Sequence, residues 1–560
     1  MRLSWPLVLL VSLIGAAAGA CGASSVSPTS SSSSSSKASP GVVSNNVRFE
    51  DYAGTKSCEK CHATHVASWL KSPMHNMTRL ADGADIKGPF DGTVFRLKDD
   101  TATLETIDGV RYMTIRSKQF GDGKWKITRV IGGHHREDYA GVSVGAGPGG
   151  EERVLPVTYV FATKSLRYKG YSVMVKERPG LKAGSAWSET CIFCHNTPPH
   201  LSTVLGAISG KVGGYQGEVV DPLLPAAKRA TYRVTDQGAY KSAIEAELSR
   251  IGAKEARDPI TATRTHFKSE HLVEVGIGCE ACHLGSAEHV KDPTKKPSFE
   301  PRSAFYEVET KSGTRAERIN RVCARCHQVL FSGYDPTWEG GSRKRNPGGS
   351  HINSGEARDM LLGACVSKLS CVECHEPHAR DATAALKALD ASGQDALCTR
   401  CHDKYASADA LRAHSHHDPA GAGSRCIECH MPRKNMSLDG DLSRYHRIGS
   451  PTDTERVLLD RPLECALCHA DKSVDTLVTT MEKWWKKSYE RGALTAQYGS
   501  LDANVMRATA ERGKPHEQAV AFYVLGQTKD RAALPILQAQ SEHPYPLVRG
   551  YAERAIDAMK

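Results

Sequence analysis

The stretch Lys56–His75, KSCEKCHATHVASWLKSPMH, contains two cysteines that are separated by two residues and followed directly by a histidine. These three residues are Cys58, Cys61 and His62. A single C-x-x-C-H motif fits a structural zinc site, a redox-active dithiol or a covalent haem attachment site. The choice between these depends on how often the motif recurs along the chain.

The same spacing occurs eight times and uses all but two of the 18 cysteines, the exceptions being Cys21 and Cys365. We refer to the motifs in chain order as sites 1 to 8. They are Cys58/Cys61/His62, Cys191/Cys194/His195, Cys279/Cys282/His283, Cys323/Cys326/His327, Cys371/Cys374/His375, Cys398/Cys401/His402, Cys426/Cys429/His430 and Cys465/Cys468/His469. Sites 5, 6 and 7 follow one another at spacings of 27 and 28 residues, which is a compact internal repeat.

The spacing of the motif explains its chemistry. In a helical turn, residues i, i+3 and i+4 lie on neighbouring positions of one face. Two cysteines can therefore form thioethers to one porphyrin, and the histidine can bind its iron as the proximal ligand. Neither a zinc site nor a dithiol requires a histidine after every second cysteine, eight times out of eight. The sequence predicts eight covalent c-type haems, with iron bound by the eight motif histidines.

The first 50 residues have the composition of an export and tether segment. Arg2 precedes a short apolar run at residues 7–14, and small residues at 18–20 provide a cleavage site. Residues 1–21 are therefore expected to be a signal peptide, followed by a Ser-rich linker at 22–50. Cys21 lies where a lipoprotein carries its lipid, although plain cleavage at the A-x-A site is the alternative. We expect export to the bacterial periplasm or cell envelope, with attachment to the inner or outer membrane through a lipid on Cys21.

The positive charge of the chain is better explained by bound haems than by bound nucleic acid. The formal net charge is +10, and aromatic residues make up 6% of the chain. Eight haems would bring roughly 16 propionate charges, which such a balance can offset. No block of lysine and arginine resembles a nucleic-acid-binding motif. The haems are also expected to supply much of the apolar core.

Hydrophobic patterning divides the remainder of the chain. We expect an octahaem cytochrome domain at 51–470, interrupted by a small antiparallel β-insert at about 88–180, where alternating segments flank a GDG turn at 121–123. His134 and His135 end one of these strands, either as a solvent-exposed pair or as a ligand. Residues 471–560 form a helical segment that resembles HEAT repeats, with Trp484 and Trp485 as core anchors. The predicted fold is mainly α and loop-rich, organised around haems.

The 24 histidines outnumber the eight motifs by enough to give every iron a second histidine. Several lie close to a motif or in a crowded context, as in the AHSHHDP stretch that contains His414, His416 and His417. The predicted distal iron ligands are His75, His271, His289, His351, His378, His417 and His446.

The phrases CEKCHATHVASWLKSPMH, GIGCEACHLGSAEH, CVECHEPH and CIECHMPR resemble the multihaem cytochromes of the cytochrome c-552/4 type. That superfamily is similar to hydroxylamine oxidoreductase, octahaem tetrathionate reductase and the pentahaem nitrite reductase. The resemblance covers about residues 55–470. It implies that His75, His289 and His378 are distal ligands, often of a haem other than the nearest one in sequence. It also implies stacked haems that conduct electrons.

Two functions follow from these observations. The first is an electron carrier of an anaerobic respiratory chain, with redox proteins or quinol-linked cytochromes as partners and iron bound on both sides by histidine. The alternative is an octahaem oxidoreductase that acts on a nitrogen or sulfur oxyanion at one haem with an open coordination position. The nitrite reductases attach their catalytic haem through CxxCK, and this chain has no such motif. No catalytic residue can be assigned from the sequence.

Overall fold

The strands that follow site 1 form one antiparallel sheet of eight strands. The computed structural model describes residues 41–147, 150–172, 176–208, 230–310, 313–327, 355–381, 384, 387, 395–437 and 439–560. The strands are β1 (Thr78–Leu80), β2 (Asp91–Leu97), β3 (Asp100–Ile107), β4 (Val110–Arg116), β5 (Gly123–Gly132), β6 (Arg136–Ser143), β7 (Arg153–Val160) and β8 (Ser165–Tyr168). Strands β2 to β8 pair in sequence order, and β1 pairs with β5.

Alternating side chains explain why these segments form a sheet. Along β3, Ala102 and Leu104 are buried, and Met113 and Ile115 of β4 join them in one apolar cluster. The β3–β4 connection is Asp108-Gly109, and both residues have positive φ, as a tight hairpin turn requires. The GDG stretch connects β4 to β5, as the sequence predicts.

The fold is mixed, and the prediction of a mainly α fold with a small β-insert is corrected in this respect. The sheet begins at β1, before the predicted insert, and reaches Tyr168. Pairing of Thr78 with Ile131 draws the segment after site 1 into the sheet. With only two further residue pairs, β1 is too short to recognise from alternation alone, because its stabilisation comes from the partner strand.

Short helices and two small hairpins make up the region of sites 2 to 8. The hairpins pair β9 (Ala230–Val234) with β10 (Tyr306–Thr310) and β11 (Arg433–Met436) with β12 (Leu442–Arg444). The described helices up to site 8 are α1 (Thr55–Trp69), α2 (Trp187–Thr190), α3 (His200–Ile208), α4 (Gln237–Arg250), α5 (Pro259–His266), α6 (Glu280–His283), α7 (Ala287–Lys291), α8 (Arg315–Ala324), α9 (Glu356–Leu362), α10 (Ala396–Thr399), α11 (Ala408–Ser415), α12 (Cys426–His430) and α13 (Thr454–Leu459).

The helices after site 8 pack on the region that precedes them. They are α14 (Val474–Trp485), α15 (Arg491–Tyr498), α16 (Val505–Arg512), α17 (Pro515–Gln527), α18 (Leu534–Gln538) and α19 (Pro546–Met559). Their buried side chains share one apolar cluster with Met436, Leu442 and Val457. Helices α17 and α19 approach closely where Gly526 faces Ala555, since a Cβ at 526 would lie 2.7 Å from the Ala555 Cα. Residues 40–560 form one compact unit.

None of the described helices is both long and apolar enough to span a bilayer.

A buried ion pair beside site 7 is expected to contribute strongly to stability. Lys434 Nζ lies 2.6 Å from the Asp460 carboxylate and also donates to the Pro462 carbonyl at 2.8 Å. The side chains of Lys434 and Asp460 are 2% and 1% exposed. Asp460→Ala should lower the free energy of unfolding by about 3–5 kcal/mol, because it leaves a buried ammonium without its counter-charge. Denaturant titration followed by circular dichroism measures this loss.

The matched control for this prediction is Asp557→Ala, which removes the exposed partner of Lys560. Exposed pairs contribute about 0–1 kcal/mol, so the control should unfold close to the wild-type midpoint. Equal losses of unfolding free energy in the two variants would show that the buried pair stabilises the protein no more than the exposed pair does.

Candidate haem-binding sites

Each C-x-x-C-H motif folds as a single helical turn. In six of the eight motifs, the histidine N–H donates to the carbonyl of the first cysteine, four residues earlier, at 2.9–3.0 Å; these are sites 2, 3, 4, 5, 6 and 8. Site 1 lies within α1, and site 7 forms α12. The turn therefore brings the two cysteines and the histidine of each motif together on one face, as the sequence predicts.

The motif cysteines surround a large common cavity. Its volume is about 2290 Å³, and cysteines from sites 2 to 8 line it. Pockets for one small ligand measure about 300–1,000 Å³, so this cavity has room for several flat cofactors. Buried polar atoms without a partner lie at these motifs, among them His195 Nδ1 and Arg325 Nη1. The sulfur and imidazole groups, the space and these polar atoms fit covalently attached haems.

Five of the eight motif histidines face a second histidine at nearly the same distance. The ring centroids lie 6.0–6.3 Å apart in all five pairs. A metal–imidazole bond is about 2 Å long, so two imidazoles on opposite sides of one iron have centroids about 6 Å apart. The pairs are His62–His289, His283–His378, His375–His446, His430–His414 and His469–His417. Their spacing fits two axial ligands of one iron.

Hydrogen bonds orient several of these imidazoles. The Nδ1 atoms of His289, His446 and His417 lie 2.8, 2.9 and 2.6 Å from the backbone carbonyls of residues 295, 444 and 415. His430 Nδ1 lies 2.8 Å from the carbonyl of residue 449. A carbonyl only accepts, so Nδ1 carries the proton in each case and the Nε2 lone pair is available to a metal.

The charge state of two buried imidazoles also suits a metal. Burial lowers the pKa of His195 and of His283 to about 4, which keeps these rings neutral at physiological pH. A neutral imidazole is the form that binds iron. At site 4, burial opposes protonation of His327, but Glu356 outweighs it and raises the pKa of His327 to about 9. The Glu356 carboxylate lies 3.6 Å from His327 Nδ1, where it would make this ring a more basic ligand.

The structure brings together some of the predicted distal histidines and not others. His289, His378, His417 and His446 each face a motif histidine. No such pair includes His75 or His271 among the described residues, and His351 lies outside them.

His75 and His271 differ in their hydrogen bonds. His75 Nδ1 lies 3.2 Å from the carbonyl of Ile277, directly before site 3, which leaves its Nε2 available. His271 Nδ1 instead accepts the N–H of Lys268 at 2.9 Å. When neutral, the His271 ring therefore carries its proton on Nε2, the orientation that does not suit a ligand.

Two histidines that were not among the predicted ligands also lie at these sites. His414 faces His430 at 6.1 Å with the ring planes 3° apart, although only its neighbour His417 was among the predicted ligands. The crowding of three histidines in AHSHHDP was the available signal, but it does not distinguish one member from another. The ring centroid of His65 lies 5.1 Å from that of His378, so His65 is a second imidazole near site 3.

Contacts between thiols show which sites are neighbours in space. The Cys58 thiol of site 1 and the Cys279 thiol of site 3 lie close enough to shift each other's pKa, that of Cys58 upward and that of Cys279 downward. Contacts of the same kind join site 2 to site 4 through Cys194 and Cys326, site 4 to site 5 through Cys323 and Cys371, and site 6 to site 7 through Cys398 and Cys426.

Close electrostatic neighbours supply the remaining steps. These are Cys282 with Cys323 for sites 3 and 4, Cys374 with Cys398 for sites 5 and 6, and Cys429 with Cys465 for sites 7 and 8. The described contacts therefore run through sites 1, 3, 4, 5, 6, 7 and 8 in this order, and site 2 branches from site 4.

Comparisons with known proteins agree with the motif. Residues 364–407, which contain sites 5 and 6, match the family model of the doubled CXXCH motif. No curated protein matches the chain. Sites 5 and 6 therefore match a doubled CXXCH motif, and CXXCH is the motif that attaches c-type haems covalently.

Two solved structures are similar at low identity. One is the crystal structure of the outer cell wall cytochrome OcwA, with 14% identity, a TM-score of 0.39, and coverage of 91% of this chain and 100% of that chain. The other is an undecahaem cytochrome from the S-layer of Carboxydothermus ferrireducens, with 15% identity, a TM-score of 0.31, and coverage of 91% and 69%.

Proposed function

We propose that the chain carries electrons through eight covalently bound c-type haems in the bacterial cell envelope. The observation that supports this function best is the set of five histidine pairs at 6.0–6.3 Å. Iron with a histidine on each side exchanges electrons with little rearrangement of its ligands, and burial and axial ligation tune its potential. The unbroken series of contacts from site 1 to site 8 suits transfer over the length of the cavity.

In this proposal the chain supplies three kinds of group. The motif cysteines attach the porphyrins, and the motif histidines bind iron on one side. The second axial ligands at sites 1, 3, 5, 7 and 8 are His289, His378, His446, His414 and His417. His75 and His351 stay as predicted ligands without an assigned site, whereas His271 is not proposed as a ligand, because its Nδ1 accepts the N–H of Lys268. Redox proteins or quinol-linked cytochromes are the proposed partners, and a lipid on Cys21 is the proposed attachment to the membrane.

The haem load is the direct test of the proposal. The intact mass of the mature holoprotein should exceed that of its polypeptide by eight haems, because thioether bonds survive denaturation and acid extraction. A Cys465→Ala/Cys468→Ala variant should lose one haem and keep seven. A wild-type mass with fewer than eight haems contradicts the proposal at the sites that stay unmodified.

A second candidate function is reduction of an anion at site 2. The cations Arg136 and Lys169 lie close enough to His195 to lower its pKa, after burial as the main cause. Arg136, His134 and His135 line the cavity together with the site 2 motif. Such a surface would suit a nitrogen or sulfur oxyanion at an open iron. Low-temperature EPR separates the two functions, because a high-spin ferric signal reports a haem whose iron lacks a second histidine.

A further inference from the structure

The C-terminal end of α14 holds the histidine-rich segment that serves sites 7 and 8. The Trp485 indole N–H donates to the His414 carbonyl at 2.9 Å. Trp484 stacks on His416, with centroids 4.7 Å apart and planes 18° apart. Its edge also approaches His417 at 6.2 Å. The two tryptophans thus fix the backbone and the rings of the segment that faces the motif histidines of sites 7 and 8.

This end of the cavity reaches the protein surface. Both tryptophans line the cavity and are only partly buried, while His416 is exposed. The Cys468 side of site 8 is exposed as well. Among the described thiol contacts, site 8 has a neighbour on one side alone, site 7. Site 8 is therefore the terminus of the series of sites, and Trp484 and His416 extend it outward with aromatic groups.

The surface around Trp484 carries an excess of positive charge. Lys483, Lys486 and Lys487 are exposed, and none of them forms an ion pair with a described carboxylate. Three nearby carboxylates have other partners: Glu482 with Arg491, Asp418 with Arg412, and Asp471 with Lys472. Glu490 is exposed as well, and the three lysines outnumber it. Cations at a helix C-terminus gain stability from the helix dipole. That gain gives the lysines a structural role but does not neutralise them.

We propose that Lys483, Lys486 and Lys487, around the exposed edge of Trp484, form the docking surface for a small electron-transfer protein with an acidic face. The inference rests on the proposed electron-transfer function and adds where electrons are exchanged and with what kind of partner. Complementary charge steers two proteins together and fixes their orientation. The orientation here brings the partner's redox group against Trp484 at the end of the series. One electron passes, and no bond forms or breaks.

Flavodoxin, an acidic flavoprotein, is a suitable probe for the holoprotein. Binding of oxidised flavodoxin is measured by calorimetry, and reduction of the haems by flavodoxin hydroquinone is measured by stopped flow. The anionic hydroquinone gives one electron to a ferric haem and becomes the neutral semiquinone. We expect both the affinity and the second-order rate constant to fall as the salt concentration rises from about 50 to 500 mM.

The decisive variant is Lys483→Glu/Lys486→Glu/Lys487→Glu, with Lys126→Glu/Lys254→Glu/Lys529→Glu as the control. The control lysines are also exposed and lie elsewhere on the surface. The first variant should weaken binding and slow reduction about tenfold or more at low salt, whereas the control should change either by less than about twofold. Equal effects of the two variants, or no effect of the first, would overturn the proposed docking surface.

A small uncharged reductant separates this inference from the proposed function. Photoreduced 5-deazariboflavin should reduce wild type and both variants at the same rate, which shows that their haems are loaded and reducible. If wild type itself lacks haems or is not reduced, the proposed function fails and the docking surface fails with it. If charge reversal prevents folding, Lys483→Gln/Lys486→Gln/Lys487→Gln replaces it and should show a smaller loss in the same direction.

Discussion

His289→Ala should convert one low-spin haem into a high-spin haem while all eight haems stay attached. The substitution removes the ring that faces His62 at 6.3 Å, and alanine offers no group that binds iron. The vacated position should then accept carbon monoxide when the protein is reduced. EPR of the oxidised protein and difference spectra of the reduced protein with carbon monoxide measure both effects, and the intact mass shows that no haem is lost.

His271→Ala is the matched control for this experiment. His271 faces no motif histidine among the described residues, and its Nδ1 accepts a backbone N–H. Its removal should leave the spectra low-spin and without added carbon monoxide binding. If the His289→Ala protein stays fully low-spin, His289 is not an iron ligand. At site 3, His65 lies 5.1 Å from His378 and could replace it, so His378→Ala should be combined with His65→Ala.

Loss of site 5 should interrupt electron transfer between the two ends of the series. Cys371→Ala/Cys374→Ala removes the attachment of the haem between sites 4 and 6, which the described contacts connect through site 5. With the holoprotein bound to an electrode through Lys56→Cys, beside site 1, flavodoxin hydroquinone in solution should drive an oxidation current through the wild type. We expect this variant to lose that current almost completely.

Cys191→Ala/Cys194→Ala supplies the comparison, because site 2 branches from site 4 and, among the described thiols, no contact leads from it to another site. This variant also lacks one haem, yet its current should stay close to that of the wild type. A loss of current in both variants would place site 2 on the main route. A normal current in the site 5 variant, with seven haems confirmed by mass, would contradict the order of sites.

The local parts of the candidate sites could be predicted from the sequence, because their geometry depends on neighbouring residues. The spacing of Cys465, Cys468 and His469 is sufficient to predict the turn that the His469 N–H closes at 2.9 Å. Likewise, a GDG stretch between alternating segments is sufficient to predict a turn between strands. The short β1 strand was missed because its structure depends on Ile131, far along the chain.

Pairing of the histidines could not be predicted in the same way. His62 and His289 lie on helices that are distant in sequence, and only packing of α1 and α7 within one core brings them together. His271 also precedes a motif, eight residues before Cys279 of site 3, but its Nδ1 accepts a backbone N–H from Lys268. Such a choice depends on local backbone geometry, which histidine counting does not contain.

The crossed pairing of histidines has a consequence for the order in which the protein can mature. Synthesis of the chain from its N-terminus presents site 1 long before His289, and site 3 long before His378. In the proposed ligation, a haem attached early has one axial histidine until the later segment arrives. Each later histidine then closes a long loop, as a disulfide does, and restricts the unfolded chain. The iron of site 1 therefore gains its second histidine only after the chain has been synthesised through site 3. The binding of second ligands thus follows folding in a fixed order.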